Sequence, residues 1–290
     1  MSVIELKNVS FVYGEKGVSP VRALSDVSVT LDASGVTGLI GKTGSGKSTL
    51  VQLLNGLLRP TEGQVLLDGA DIWAEPKKIR DVRFRVGLVM QYAEYQLFEE
   101  TVRADIAFGP KNMGLSGEEL DRAVLDAVRF AGLDESLLDS SPFDLSGGQK
   151  RRAALAGVVA MRPEVLVLDE PAAGLDPGGR REILGRIRQY QKDTGSIVII
   201  VSHSMEDMAM YCDRLLVMND GRLVLDGTRG EIFSRAEELE GLGLDVPEVT
   251  KLAAALARRG IDIGRDVYTV DYAVEKLLSL SGKGGDNRGL

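Results

Sequence analysis

A short segment of glycines that ends in a lysine and a serine constrains the fold of this chain more than any other feature. Residues 41–48 read Gly-Lys-Thr-Gly-Ser-Gly-Lys-Ser and fit the pattern G-x-x-x-x-G-K-[ST]. At ordinary residue frequencies, a chance match in a chain of this length has a probability of ~0.02. The apolar run Val36–Ile40 precedes the segment, and leucines at helical spacing follow it between residues 48 and 58. The sequence therefore predicts a strand, a phosphate-binding loop and a helix in direct succession.

The residue types in this loop suit a bound nucleotide better than the alternative, a simple glycine-rich turn. Glycines let the backbone curl so that successive N–H groups point at phosphate oxygens, and the following helix adds the positive end of its dipole. Lys47 is predicted to reach the β- and γ-phosphates of ATP, and the Ser48 hydroxyl to ligate Mg²⁺. The predicted nucleotide ligands in this part of the chain are Gly41, Lys42, Thr43, Gly44, Ser45, Gly46, Lys47, Ser48 and Thr49.

Two acidic residues follow another apolar run, at residues 165–168. A carboxylate at the end of such a strand holds Mg²⁺ in P-loop enzymes, which predicts Asp169 as a metal ligand. Glu170 comes next and is predicted to polarise the attacking water as a general base. A strand that merely ends in solvated acids is the simpler alternative, but the presence of Lys47 favours the catalytic interpretation.

The composition excludes several classes of protein. The 290 residues include 35 basic and 43 acidic ones, and the net charge of −8 argues against broad binding to nucleic acid or anionic lipid. The single cysteine indicates a reducing compartment, and the single histidine excludes metal sites built from several histidines. The amino terminus lacks the pattern of a secretory signal, and no apolar stretch approaches the ~20 residues that span a bilayer. We therefore expect a soluble protein that reaches a membrane only through a partner.

Further apolar runs predict most of the remaining strands. Alternating apolar residues at positions 4–11 and 27–31 are typical of half-buried strands. Near-continuous apolar runs at residues 65–67, 86–90, 165–168 and 197–201 suit a parallel sheet that is covered on both faces. Asn219-Asp220-Gly221 lies between two short apolar runs and predicts an antiparallel hairpin.

Helical periodicity divides the chain into parts. Leu120, Val124, Ala127 and Val128 fall on one face of an amphipathic helix. We therefore expect a mostly helical insertion at about residues 92–163, within an α/β domain of residues 1–228. Helical spacing returns over residues 229–280, where Pro247 indicates a helix start and a small helical appendage is expected. Residues 281–290 are rich in glycine and predict a flexible tail.

A second glycine motif identifies a family. Residues 145–149, the signature loop, read Leu145-Ser146-Gly147-Gly148-Gln149, and a chance occurrence has a probability on the order of 10⁻³. Glycines and a serine at a helix start form an anion site, although a capped flexible loop would look the same. The motif resembles the signature of the ATP-binding cassette (ABC) ATPases. That resemblance implies an α/β fold, a P-loop NTPase (RecA-like) core with an amino-terminal antiparallel β subdomain, an inserted α-helical subdomain and the small carboxy-terminal helical appendage.

The resemblance assigns further residues by their order along the chain. It implies that Tyr13 stacks on adenine, that Gln91 senses Mg²⁺ and the attacking water, and that His203 contacts the γ-phosphate. Asp176, which ends Gly174-Leu175-Asp176, would communicate across a dimer, because in this family the signature loop of one subunit closes over ATP held by another. The predicted catalytic residues are thus Lys47, Gln91, Glu170 and His203, and the predicted metal ligands are Ser48, Gln91 and Asp169.

Residues 91–112, which read QYAEYQLFEETVRADIAFGPKN, indicate a subfamily within the ABC ATPases. They are similar to the ATPases of energy-coupling factor (ECF) transporters, which import vitamins or transition-metal ions. The resemblance covers roughly residues 3–280, with Ala93 in place of the usual proline and Ala172-Ala173 where many relatives have threonine.

The ECF resemblance implies an enzyme that binds ATP and Mg²⁺ and works peripherally at the cytoplasmic face of the cell membrane. Its expected partners are a transmembrane coupling subunit and a second ABC ATPase, identical or a paralogue, which the appendage (residues 229–280) would help to hold as a dimerisation domain. A substrate-binding membrane subunit would be contacted only indirectly, and no nucleic acid is expected. The alternatives are an ordinary ABC importer ATPase and a non-transport ABC switch.

Residues 92–98, which we call the docking segment, mix aromatic with acidic side chains. The mixed residues in and directly after it are Tyr92, Glu94, Tyr95, Phe98, Glu99 and Glu100. We expect a groove that receives a basic coupling helix of the membrane subunit through charge and aromatic contacts. An ordinary solvated loop is the alternative.

Overall fold

The computed structural model describes residues 3–14 and 19–283. The tail expected at residues 281–290 lies outside the residues whose side chains are described. The described strands are β1 Ile4–Tyr13, β2 Val21–Leu31, β3 Val36–Ile40, β4 Glu62–Leu67, β5 Ala70–Asp71, β6 Val86–Val89, β7 Val165–Asp169, β8 Ile197–Val201, β9 Arg214–Asn219 and β10 Arg222–Thr228. The described α-helices are α1 Lys47–Leu54, α2 Ile79–Arg85, α3 Val102–Asn112, α4 Gly117–Ala131, α5 Gly147–Val159, α6 Pro177–Thr194, α7 Met205–Tyr211, α8 Arg229–Phe233, α9 Ala236–Gly241, α10 Glu248–Ala257 and α11 Val270–Lys283.

The larger sheet has the strand order β10-β9-β3-β8-β7-β6. Its neighbouring strands run parallel except β9 and β10, which form the antiparallel hairpin expected around Asp220. Strands β3 and β8 are buried along their whole length, as expected of parallel strands that are covered on both faces. Because parallel strands end at the same edge, the loops that follow β3, β6, β7 and β8 meet there. Gly41, Gln91, Glu170 and His203 lie in those loops.

A smaller antiparallel sheet has the order β2-β1-β4-β5. The expectation that residues 65–67 belong to the parallel sheet is wrong, because Val65 pairs with Leu6 in an antiparallel register. Only the second half of β4 is buried, and a buried run of three residues is compatible with either strand direction. Both sheets still share one core, since Leu6 and Val65 pack in the same buried cluster as Leu39 of β3.

The helix after the phosphate loop is shorter than the leucine spacing suggests. Helix α1 ends at Leu54, and Gly56 takes the left-handed conformation with φ +67°. A glycine in this conformation commonly ends a helix because it has no side chain to clash. The side-chain amide of Asn55 also donates a hydrogen bond to the carbonyl of Val86, which fixes the turn against β6.

Helices α3, α4 and α5 pack around a core of their own. The face expected on α4 is confirmed, because Val124, Ala127 and Val128 are buried and Leu120 packs at the edge of the cluster. The signature loop leads directly into α5. This helical region therefore carries the signature loop, and Leu155 and Val159 of α5 also pack in the main core beside β6 and β7.

The carboxy-terminal helices enclose a small cluster of buried residues, Ala253, Ile263, Val267 and Ala273. Helix α10 begins at Glu248, directly after Pro247, as the sequence indicates. None of the helices in the described part of the chain is both long and apolar enough to cross a membrane.

Candidate nucleotide site

The phosphate loop joins the end of β3 to the start of α1. Gly46 takes φ +101°, and a Cβ there would lie 2.6 Å from the carbonyl oxygen of Ala23, so the loop needs a glycine at this position. The ammonium group of Lys47 folds back and donates hydrogen bonds to the carbonyls of Gly41 and Lys42, at 2.5 and 3.0 Å. Burial lowers the pKa of Lys47, while the nearby carboxylates of Asp169 and Glu170 oppose that shift.

Asp169 ends strand β7 beside the phosphate loop. Burial and the neighbouring charge of Glu170 raise the pKa of Asp169, while Lys47 and a hydrogen bond with Ser48 act in the opposite direction. The structure thus brings together Ser48 and Asp169, two of the three expected metal ligands. Both offer oxygen atoms, which are the donors that Mg²⁺ prefers.

Glu170 is held by the loop that follows β8. One carboxylate oxygen lies 2.7 Å from His203 Nδ1 and accepts a hydrogen bond from the backbone N–H of His203 at 3.0 Å. The other accepts from the Ser202 hydroxyl at 3.2 Å. Glu170 is only 9% exposed and takes a positive φ of +53°, whereas the His203 side chain is 78% exposed. A fixed carboxylate beside an exposed imidazole is an arrangement that can orient a water molecule.

These groups line one cleft of ≈ 800 Å³. Its walls include the phosphate loop, Tyr13, Gln91, Asp169, Glu170 and His203. The Tyr13 hydroxyl lies 3.2 Å from the Thr49 hydroxyl, which fixes the ring next to the start of α1. Residues 243–245 also line the cleft. No local motif in the sequence marks these residues, because their position depends on how the carboxy-terminal helices pack.

The signature loop is not part of this cleft. Ser146 is exposed and caps α5, where its hydroxyl accepts from the Gln149 N–H at 3.3 Å and the Gln149 side chain accepts from the Ser146 N–H at 2.8 Å. Asp176 caps α6 in a similar way, because its carboxylate accepts hydrogen bonds from Gly178 and Gly179, both at 2.8 Å. Within the described chain, these residues therefore do not touch the cleft that the phosphate loop forms.

The docking segment presents its aromatic rings to solvent. Tyr95 is 84% exposed, and the exposed ring of Phe98 stacks edge-on against Phe108 at 4.9 Å between ring centres. Asp105, which the sequence analysis did not single out, fixes the backbone by accepting from the N–H groups of Phe98 and Glu99, both at 3.1 Å. Burial raises the pKa of Asp105.

One acid of the docking segment points inward. Glu94 forms an ion pair with Arg151 of α5 at 3.2 Å, so its charge is engaged within the chain. Glu100 is exposed, and its carboxylate is available to a partner from outside. The segment is therefore an aromatic surface that offers fewer carboxylates to a partner than its sequence suggests.

The sequence of this chain is similar to those of ABC transporter proteins. The sequence model of the ABC transporter family matches residues 24–173. The energy-coupling factor transporter ATP-binding protein EcfA2 of Caldanaerobacter subterraneus subsp. tengcongensis is 51% identical over 275 residues, which cover 95% of this chain and 96% of the relative.

Two solved structures are similar in fold. The structure of cbiO1 from Clostridium perfringens, part of the ABC transporter complex cbiONQ, is 36% identical with a TM-score of 0.72 and covers 89% of this chain and 96% of that chain. The dimeric post-hydrolysis structure of the ATP-binding cassette MJ0796, bound to ADP and Pi, is 26% identical with a TM-score of 0.71 and covers 78% and 98% of the two chains. These likenesses confirm the expected fold class.

Proposed function

We propose that this chain hydrolyses ATP at a site that two subunits share. The chain belongs to the ABC transporter family and, within it, to the energy-coupling factor transporter ATP-binding proteins. The chain is thus the ATP-binding and ATP-hydrolysing subunit that energises uptake through membrane subunits. One observation carries the two-subunit proposal. The phosphate loop, Asp169, Glu170 and His203 line one cleft, while Ser146 lies outside it.

Within that cleft we assign roles to the residues that line it. Lys47 neutralises the β- and γ-phosphates. The side-chain oxygens of Ser48, Asp169 and Gln91 suit Mg²⁺, which in nucleotide sites is held by few protein ligands together with the phosphates. Mg²⁺ supplies charge neutralisation when it is bound. Glu170 accepts a proton from the attacking water, and His203 both holds Glu170 and contacts the γ-phosphate. Tyr13 stacks on the adenine.

The signature loop, in this proposal, completes the ATP site of a second ATPase, which is an identical chain or a paralogue. Asp176 lies at the start of α6 and reaches toward the same interface. The carboxy-terminal helices contribute to pairing, because α11 exposes an apolar stripe. The stripe comprises Val270, Val274, Leu277 and Leu278, at spacings that share one helix face.

Replacing Leu278 by glutamate should weaken pairing of the two ATPases. Leu278 is 66% exposed in the single chain, so the change costs little in folding, but a buried unpaired carboxylate at an interface is unfavourable. We expect the dissociation constant, measured by analytical ultracentrifugation, to rise at least about tenfold. Val224→Glu, at an exposed position on β10, is the control and should leave it unchanged. Equal dissociation constants for both variants would contradict a pairing role for α11.

The membrane partner, we propose, is a transmembrane coupling subunit that seats a short helix on the docking segment, at the cytoplasmic face of the membrane. This places the chain peripherally, with the substrate-binding membrane subunit reached only through that partner. Exposed aromatic rings held on a fixed backbone are typical anchors for such contacts. At the Phe98 end of the segment, Asp105 holds the backbone through its two hydrogen bonds.

Tyr95→Ala should weaken this contact strongly, because it removes the most exposed ring of the docking segment. We expect co-purification with the membrane subunit to fall at least about tenfold, the loss of one aromatic anchor. ATP binding by the isolated chain should not change. Met210→Ala, an exposed apolar residue on α7, is the matched control. Unchanged co-purification and uptake in the Tyr95 variant would rule out the docking segment as the contact.

A further inference from the structure

We propose that the ion pair between Glu94 and Arg151 is a positioning device that fixes the signature loop relative to the docking segment. Through it, a partner seated on the exposed rings would set the placement of Ser146. The inference rests on the proposed function, because it concerns how a membrane partner influences an ATP site that two subunits share. Neither residue touches the nucleotide cleft directly in this proposal.

The backbone of the docking segment sends neighbouring side chains in opposite directions. Ala93 is buried in the main core, while Tyr95 is the most exposed ring of the segment. Glu94, between them, turns inward and keeps only 22% of its side chain exposed. Tyr92 has φ +66°, a left-handed conformation that is uncommon for residues other than glycine, and it turns the chain at the start of the segment. The turn at Tyr92 and the burial of Ala93 thus place Glu94 on the side of the segment that faces α5.

Arg151 lies in the second turn of α5 and forms the ion pair with Glu94. One guanidinium nitrogen lies 3.2 and 3.5 Å from the two carboxylate oxygens, and only 15% of the Arg151 side chain is exposed. Ion pairs that are partly withdrawn from water are screened less than surface pairs, and removal of one partner leaves a charge without compensation. The other guanidinium nitrogen lies 3.9 Å from the position that a Cβ would take on Gly174. Arg151 thus lies between the docking segment and the loop that ends in Asp176.

The basic residues on either side of Arg151 face elsewhere. Lys150 donates to the carbonyl of Phe143 at 3.1 Å, and Arg152 donates to the carbonyl of Ala131 at 2.9 Å and pairs with Glu182. Those contacts stay within the helical region or join it to α6. Arg151 is the member of this basic run that ties α5 to the docking segment.

Helix α5 can carry a displacement from this pair to the signature loop. Ser146 caps the helix, and a reciprocal pair of hydrogen bonds with Gln149 holds that end rigid. Arg151 follows Ser146 by five residues, a rise of about 7–8 Å along a helix. A change in the position of Glu94 would therefore act on the first turns of α5, which carry Ser146, while Leu155 and Val159 hold the rest of the helix in the main core. The Lys47 site, on a different element, would be left in place.

The test uses the assembled transporter and a double-mutant comparison. Glu94→Gln and Arg151→Gln are made singly and together, and ATP hydrolysis and substrate uptake are measured per assembled complex. The matched control is the ion pair between Asp126 and Arg162, 2.9 Å apart at the surface of the same helical region, changed to Asn and Gln in the same combinations. A further variant, Arg151→Lys, keeps the positive charge.

We expect each single change at Glu94 or Arg151 to lower kcat and uptake at least about fivefold, with KM for ATP within about twofold of wild type. The double variant should be no more than about twofold below either single one, because both changes remove the same pair. Arg151→Lys should recover more than half of the lost kcat, and the control variants should stay within about twofold of wild type.

The inference is overturned if the Glu94 and control variants behave alike, if the two single effects multiply in the double variant, or if KM for ATP rises while kcat is kept. A loss of assembly with unchanged kcat per assembled complex also overturns it, since the pair would then serve only folding or docking. If the wild-type complex itself does not hydrolyse ATP, the proposed function fails instead. The two failures are thus distinguishable.

Discussion

Glu170→Gln is expected to lower ATP hydrolysis by about 10²–10⁴-fold, the usual contribution of a general base. Glutamine has nearly the same shape but cannot accept a proton from water. The carboxylate that it replaces is held by His203 and Ser202 within the cleft, so neighbouring residues of the protein fix its position. Because the phosphate loop is unchanged, ATP should still bind, and the ATP-bound pair of subunits should accumulate.

The measurements are phosphate release and size-exclusion chromatography in the presence of ATP and Mg²⁺, with a chelator as the blank. Hydrolysis by wild type should fall to background in that blank, because the proposed chemistry needs Mg²⁺. Glu206→Gln is the control, since Glu206 is an exposed acid in the first turn of α7, close to His203 in the chain. Wild-type turnover in the Glu170 variant would exclude Glu170 as the base.

The sequence predicts those parts of the cleft in which a functional residue and the strand or helix that positions it lie in one short segment. The order strand, glycine loop, helix around Lys47 is decided by residues that are adjacent in the chain, and so is the strand that ends at Asp169. The shared edge of the parallel strands then follows, because parallel strands end on the same side. For that reason the loops after β3, β7 and β8 meet although they are far apart in sequence.

What the sequence does not predict depends on partners that are distant in the chain. The direction of the strand at Val65 is set by its pairing with Leu6, which hydrophobic periodicity does not encode. The inward turn of Glu94 depends on Arg151, on a helix that begins 53 residues later, at Gly147. Likewise, the hydrogen bonds from the N–H groups of Phe98 and Glu99 to Asp105 depend on the packing of α3, which local composition does not encode.

Ser146→Arg is expected to lower ATP hydrolysis by the assembled transporter at least about tenfold while the affinity of this chain for ATP changes by less than about threefold. The exposed Ser146 hydroxyl lies at the start of α5 and outside the cleft of the phosphate loop. In the proposed assembly, a long cation there would occupy the place where a second subunit presents its ATP, yet it would leave the Lys47 site of the same chain intact. Turnover and equilibrium binding of a fluorescent ATP analogue measure the two quantities.

The fold offers a matched control, because Ser146 also caps a helix and its loss alone costs about 1 kcal/mol of stability. Thr228 caps α8 with the same reciprocal arrangement, in which Glu231 takes the place of Gln149. Thr228→Arg therefore removes an equivalent cap outside both the signature loop and the apolar stripe of α11, and it should keep turnover within about twofold of wild type. Equal losses in both variants would mean that helix capping explains the effect. Full turnover with Ser146→Arg would show instead that hydrolysis does not need the signature loop of a second subunit.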